Sequence, residues 1–592
     1  MKHAIIDFES YYDDDTSVVN LGTPNYVRSA DAYIVGVTIP GVLSQCGTLG
    51  EMDEICRNIA DDPAIKPTAA NSNFDQAWWE KYWPAFHKEW HCLLDHAAFH
   101  QYPRNLAGLA QACLGQRVDK TTRDVMKGVR YEDLPPAEQE SVQHYCLNDC
   151  EKSLDCLERL TPMSAEETKI AEHTRRMNRR GIRIDTELVE ADKTRIEMMR
   201  FEAFKRIPWH ADAPPLSHQA LSKYCIGRGI PVPKSLAKTD EECADLMVES
   251  VELAEVVGYM RRYRRANTML RKMETLMDRV TPAGILALDL LYCGAPHTRR
   301  WSSKGFNVQN LDKEPLAVSD TETVWTRNWI VPRPGHKFLI VDYAQIEPRC
   351  LNWLAGNNAM LEAMRAGYSV YEAFAMQAEG WRGEPGSIKA SLGKKRYTLL
   401  KNRVLGLGYG MGAARFEGYV RENGGEITTE EAKQIVEGFR KGNSAIVDLW
   451  KRLDNMIVSA GRDRDHHLNV VMPSGDSLQY FGVRGSSGAY QGYVTKCDLG
   501  RNSKQPRLWG GTLTENLTQR MARDVLASAI VRLEDAGLTV AFHVHDEVIL
   551  EIPEAGAEEA KEEAFRIMIQ PPEWAADLPL GVEGDFATAY TK

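Results

Sequence analysis

The segment Leu538-Thr-Val-Ala-Phe-His-Val-His-Asp-Glu-Val-Ile-Leu-Glu-Ile-Pro553 narrows the possible folds most. Val540, Phe542 and Val544 alternate on one side of its centre, and Val548, Leu550 and Ile552 on the other. A period of two is that of a strand, so the segment reads as a β-hairpin with His545-Asp-Glu547 at its tip. Acids set between apolar strands are costly to bury unless a cation neutralises them. A second apolar strand, Lys337-Phe-Leu-Ile-Val341, follows Val331-Pro-Arg-Pro-Gly335 and ends on Asp342. One such aspartate is an ordinary turn residue. Two on neighbouring strands, Asp342 and Asp546, could hold two metals about 3.5–4 Å apart, the separation used for in-line phosphoryl displacement.

Between these strands lies Lys401-Asn-Arg-Val-Leu-Gly-Leu-Gly-Tyr-Gly410. On a helix, Lys401, Leu405 and Tyr409 share one face at four-residue steps. A lysine and an aromatic there suit a triphosphate and a base or sugar. The alternative is a basic amphipathic helix with Leu405 and Tyr409 in the core.

A second set of acids opens the chain. Asp7 and Glu9 are two apart on an expected strand and so face one side. Asp75 closes Asn71-Ser-Asn-Phe-Asp75, and Tyr145 and Asp149 are four apart on an expected helix. Four converging carboxylates could bind two divalent metals that activate water and stabilise a leaving 3′ oxygen. Tyr145 would orient the water, and the adjacent His144 is the alternative base.

The chain has 592 residues and a net charge of −11. That sum argues against a nucleic-acid partner, but distribution matters more. Arg175, Arg176, Arg179, Arg180 and Arg183 form one basic run. Arg261, Arg262, Arg264, Arg265, Arg271 and Lys272 form a second, and Lys389, Lys394, Lys395, Arg396, Lys401 and Arg403 a third. Three runs in an acidic chain point to a phosphate-tracking cleft. The twelve scattered cysteines fit a reducing compartment. Cys146 and Cys150 lack a second pair at zinc spacing and read as helix-face or core residues. No apolar run approaches the ~20 residues of a membrane span and no signal peptide opens the chain, so a cytoplasmic location is expected, the host cytoplasm for a phage protein.

Asp342 to Arg349, Lys401 to Gly410 and His545 to Glu547 resemble motifs A, B and C of the family A DNA polymerases, and phage members in detail. Thr298-Arg-Arg-Trp-Ser-Ser303, Asn307-Val-Gln-Asn-Leu311 and Thr514-Glu-Asn-Leu-Thr-Gln519 extend the likeness. The opening acids resemble a proofreading exonuclease of the DEDD type with Tyr145 as the distinguishing tyrosine. The resemblance implies an α/β and α+β multidomain chain: an RNase H-like exonuclease domain (1–161), thumb (162–285), first palm part (286–375), fingers (376–465) and second palm part (466–592). It implies two Mg2+ ions on Asp342 and Asp546, with Glu547 nearby, and two divalent ions on Asp7, Glu9, Asp75 and Asp149, with Mn2+ as a substitute.

By the same resemblance Lys401 binds the incoming triphosphate, while Gln345, Glu347, Leu405 and Tyr409 surround the nucleotide; the second cation is open between Arg396, which a regular helix turns about 140° away, and Lys394, which returns to the lysine face. Glu347 crowds out a 2′-hydroxyl, which sets the chain apart from single-subunit RNA polymerases. Arg300, Gln309, Asn310, Arg349, Gln519 and His545 contact or brace the DNA. The partners implied are primer–template DNA and deoxynucleoside triphosphates, with a monomer expected and no processivity factor assigned. Three positions depart from the pattern. Tyr397 stands where motif B has an arginine, Leu405 where it has an aromatic, and Gly511 where an arginine precedes motif C. An exonuclease whose polymerase half only binds DNA, and a scaffold protein, are the competing readings.

Overall fold

The computed structural model describes residues 2–83, 88–118, 121–237, 240–486, 489–496 and 506–591. Its first 161 residues surround a five-stranded sheet: β1 (Lys2–Ser10), β2 (Ala32–Ile39), β3 (Leu43–Thr48), β4 (Ile65–Ala69) and β5 (His91–Cys92). The order is β3-β2-β1-β4-β5. β1 is antiparallel to β2 and parallel to β4. The alternation in β1 does what its sequence requires. Ala4, Ile6 and Phe8 enter one apolar cluster, and Asp7 and Glu9 emerge together on the opposite face. Helix α1 (Ser72–Tyr82) carries Asp75, and α2 spans Leu93–Phe99. Helix α3 (Pro136–Arg159) begins on Pro136, whose fixed φ and missing N–H suit a first helical position.

Helix α4 (Ala165–Arg180) joins this unit to the rest of the chain. Its arginines do not line a phosphate cleft as expected. Arg175 is 4% exposed and donates to Asp95 (2.8 Å) and to the Trp90 carbonyl (2.9 Å). Arg176 pairs with Glu89 at 2.9 Å, Arg179 donates to Gln76 at 2.7 Å, and Arg180 pairs with Glu534 at 3.2 Å. Because α4 is packed between two units, Arg175, Arg176 and Arg180 meet acids from both, and Arg179 meets a neutral amide. The second run keeps an exposed cationic face on α5 (Val251–Arg279) through Arg264, Arg271 and Lys272, while Arg261 caps the Leu236 and Ala237 carbonyls.

Residues 162–285 divide between two cores. α4, Ile182, Ile184 and Val189 join the large core, whereas residues from Ile207 to Met260 build a small core of their own. The large core continues through β6 (His336–Tyr343), α6 (Ile346–Ala355), α7 (Ile388–Leu407) and α8 (Ser444–Arg462). A small sheet follows: β7 (Leu468–Val471), β8 (Ser477–Ser486), β9 (Ala489–Tyr493) and β10 (Arg507–Leu508). Helix α9 (Gly510–Asp535) then precedes β11 (Val540–Val544), β12 (Glu547–Pro553) and β13 (Val582–Ala587). The main sheet is antiparallel throughout, in the order β11-β12-β6-β13. The capping box expected at Thr428 is formed with Glu431.

Two features tie the units together. Gln101, at φ +59°, offers its Nε2 to the carbonyls of Gln479 (2.9 Å) and Val494 (2.8 Å) and accepts from the Gln479 N–H (3.0 Å). Below the main sheet, Glu167 of α4 meets Arg520 and Arg523 of α9. Arg523 grips it with two bonds, 2.5 and 3.0 Å. Arg520 also reaches Asp524 and Asp476, and Arg299 pairs with Asp476 at 3.2 Å. Three acids thus neutralise three arginines in the interior.

Candidate active site

The register of the main sheet assembles the acids. Asp342 pairs with Glu547 on one side and Glu583 on the other, and Val544 pairs with Glu547 across a two-residue turn. That turn is His545-Asp546. His545 takes φ +56°, a left-handed conformation that costs a non-glycine residue roughly 1 kcal/mol or more. The Tyr343 N–H donates to the Asp546 carbonyl at 3.2 Å and locks the turn to the end of β6. Gln345, at φ +54°, starts α6, and its side chain accepts from the Val370 N–H at 3.0 Å.

Asp546 faces a cleft of about 320 Å³ lined also by Arg300, Gln309, Gln345, Glu347 and His545. Burial, then the neighbouring Asp342, raises its carboxyl to about 6. A divalent cation would reverse that shift, so the donor set suits a hard metal with oxygen ligands. Arg300 pairs with Glu347 at 2.5 Å, and the Tyr409 hydroxyl donates to the other Glu347 oxygen at 3.4 Å. Glu347 is therefore held from two sides over the cleft.

Some expected positions differ. α7 kinks at Gly393 and ends at Leu407, so Tyr409 is presented by the following Gly-Tyr-Gly turn and not by a helix face. Leu405 is 39% exposed and lines the cleft, which excludes the core reading for it. Lys401 lies over the Tyr371 ring, 5.8 Å from its centroid, and Tyr397 packs edge-on against the same ring. Arg396 is 70% exposed and shares Glu379 with Arg403. Arg349 is buried and spends its guanidinium on the Ala344 and Pro579 carbonyls, at 2.8 and 2.9 Å. It braces the strand end. Gln519 contacts Glu515 at 3.3 Å, and Asn310 is exposed beside Gln309. Glu547 is buried below the turn.

Trp301, Arg523 and His543 also line this cleft; Trp301 lies in the Thr298–Ser303 segment and His543 in the hairpin, but no role was expected of any of the three. The His543 ring lies 4.4 Å from that of Trp301, and burial drives its imidazole down to about 3.

In the first unit, a cleft of about 350 Å³ gathers Asp7, Glu9, Tyr145 and Asp149. The Phe8 N–H donates to Asp75 at 3.2 Å and draws it beside them. Burial, then Asp149, raises Glu9 to about 8, and burial raises Asp75 to about 8. Asp7 is raised by burial and then by Glu9. Carboxylates so crowded hold protons unless a cation replaces them. Ligand atoms of Asp7, Glu9 and Cys146 lie within 4.8 Å of one another. Burial, then Asp149, keeps the Tyr145 phenol protonated. Tyr145 lines the cleft whereas His144 is exposed. Arg123, from the short helix Thr121–Val125, also lines the cleft and draws Glu9 downward. It was not foreseen, because one arginine in a polar stretch has no pattern. Among the described residues no helix is long and apolar enough to cross a membrane.

Comparisons with known proteins agree with this geometry. Residues 217–462 match the model of DNA polymerase family A. The chain is 28% identical to the DNA polymerase of Bacillus phage SP02, over 91% of each chain. It is 26% identical to that of Mycobacterium phage D29 over 45% of this chain and 36% of the relative. Similarity to the thermostable DNA polymerase I of Thermus filiformis is 28% over 49% of this chain and 30% of the relative. A solved structure of the POL domain of Pol1 from M. smegmatis, in complex with DNA primer–template and dNTP, has the same fold (TM-score 0.67, 16% identity, 100% of this chain and 96% of that one). The region that carries Asp342, Glu347 and Lys401 is thus the part that matches the DNA polymerase family A model, in a chain similar over most of its length to a phage DNA polymerase.

Proposed function

We propose that this protein is a DNA-directed DNA polymerase that extends a primer on a template with deoxynucleoside triphosphates and excises mismatched 3′ ends at a second site. The observation that carries the first part is the sheet register that sets Asp342 beside the Asp546 turn, under a Glu347 held by Arg300 and Tyr409. Asp342 and Asp546 would hold two Mg2+ ions, which supply charge stabilisation at the attacking 3′ hydroxyl and the leaving pyrophosphate. Lys401 faces the triphosphate and neutralises its charge. Glu347, fixed from two sides, occupies the space a 2′-hydroxyl would need. Tyr409 flanks the sugar, and Arg300 and Gln309 contact the primer end.

The excision site rests on the five-stranded order around β1 and on the convergence of Asp7, Glu9, Asp75 and Asp149. These carboxylates would hold two divalent ions, and Tyr145, kept protonated, orients the attacking water. Replication of phage DNA in a host cytoplasm by a monomer is the setting this reading favours.

Primer extension and single-strand excision by two variants test both halves. Asp546→Ala abolishes extension and keeps excision, and Asp7→Ala does the reverse. Extension by Asp546→Ala at the unaltered rate refutes the assignment.

A further inference from the structure

The helix Val18–Ser29 begins at the rim of the cleft that gathers Asp7, Glu9 and Asp149, and Ser17, Val18 and Val19 line that cleft. The Ser17 hydroxyl caps the helix by accepting from the Asn20 N–H at 3.3 Å. Val19 is 77% exposed, and with Tyr12 and Phe74 it gives the cleft an apolar side next to its carboxylates. This helix does not run straight. Gly22 takes φ +68° and Pro24 has no N–H to give, so the chain kinks one turn after the rim.

A residue far away in sequence fills the kink. Arg279, the last residue of α5, is 6% exposed and donates to the Val19 carbonyl at 2.6 Å and to the Val18 carbonyl at 3.4 Å. A Cβ on Gly22 would already touch the Arg279 side chain at 3.5 Å. Asn25 returns the contact. Its Nδ2 donates to the Asp278 and Val280 carbonyls, at 2.9 and 3.2 Å, where α5 ends and its carbonyls need outside donors. Asp289 pairs with Arg279, and Gly305 packs so closely on that pair that any side chain there would collide with both groups. A planar guanidinium shared between a carboxylate and two carbonyls is fixed in place. Arg279 thus joins the rim of the cleft to the helix whose outer face carries Arg264, Arg271 and Lys272.

We propose that Arg279 is a positioning residue for excision. It holds Val18 and Val19 at a set height over the carboxylates, so that the base of a frayed 3′ nucleotide lies against Val19 while its phosphodiester faces Asp7 and Glu9. The proposal rests on the excision reading above. Arg279 touches no substrate and acts through Val19. The exposed cations of α5 suit duplex phosphates, so the duplex and its frayed end are seated on one element, and α5 sets the distance between them.

The test measures Mg2+-dependent removal of a nucleotide from a short single strand by the whole chain, unaltered and as Arg279→Lys, Asn25→Ala, Val19→Ala and Arg279→Lys/Val19→Ala. Lysine keeps the charge beside Asp289 but cannot bridge a carboxylate and two carbonyls in one plane. Arg279→Lys should raise KM about tenfold and leave kcat within about twofold, because the rim grips the strand and not the reacting bond. Asn25→Ala loosens the same joint from the other side and should raise KM about threefold. Val19→Ala alone should raise it about fivefold. The double variant should stay near tenfold, whereas independent effects would multiply to about fiftyfold. An unchanged KM in both Arg279→Lys and Asn25→Ala, a fall in kcat with KM unchanged, or a rise of about fiftyfold in the double variant overturns the proposal. Absence of excision by the unaltered chain would remove the excision reading itself, whereas its presence with any of those three results removes this role of Arg279 alone.

Discussion

Replacing Glu167 by glutamine tests the buried charge cluster beneath the main sheet. Glu167 is wholly buried, and burial alone would raise its carboxyl, but Arg523 and Arg520 overcome that and hold it at about 2 against an ordinary 4.5. A carboxyl held down in this way stabilises the fold at neutral pH by roughly 3 kcal/mol. A second route gives a similar figure. Glutamine keeps the shape but leaves three arginines facing two acids, Asp476 and Asp524. Breaking a buried ion pair on one side costs about 3–5 kcal/mol. The sign with pH follows from the depressed value. The contribution is complete above about 4.5 and fades as the pH falls toward 2. Urea unfolding of both proteins should show a gap of about 3 kcal/mol at pH 7, narrowing to roughly 1.4 kcal/mol at pH 3. A gap below about 1 kcal/mol at pH 7, or one of equal size at pH 3, would refute the reasoning.

Two further substitutions probe other parts of the molecule. Glu347→Ala should raise the kcat/KM for ribonucleotides relative to deoxynucleotides by about 100-fold in single-nucleotide primer extension, because it removes the group that fills the 2′ position; an unchanged ratio contradicts that role. Gln101→Ala strips partners from the Gln479 N–H and the Gln479 and Val494 carbonyls, so it should cost about 2–3 kcal/mol and raise hydrogen exchange along β8 before other strands, which mass spectrometry can read.

The acid pair was legible because strand alternation dictates face. Val540 to Ile552 alternates about a two-residue centre, and that sets Asp546 at a turn, whereas the pairing of Glu547 with Asp342 is a register seen only in the sheet. The same held for Asp7 and Glu9. The arginines of α4 were misread because charge in a sequence does not reveal its partner. Asp95, which holds Arg175, lies eighty residues away. Tyr409 was placed on a helix face because four-residue spacing continued past Leu407, whereas the helix ends at Leu407 and Gly410, at φ +79°, closes the turn that carries the tyrosine. Arg123 reaches its cleft through long-range packing, which no local pattern encodes.

The sharing of one interior by α2, α4 and the main sheet has a consequence for how such a chain can be altered. Ala98 and Phe99 of the first unit sit in the same apolar cluster as Met177, Trp301 and Val544, and Arg175 is anchored on Asp95 and Trp90. A chain cut at residue 162 would expose that apolar surface to water and strand a charged guanidinium there. The first unit is thus no cassette to be removed or exchanged whole. On the function proposed above, excision would be lost through substitution at individual acids, with the scaffold kept in place.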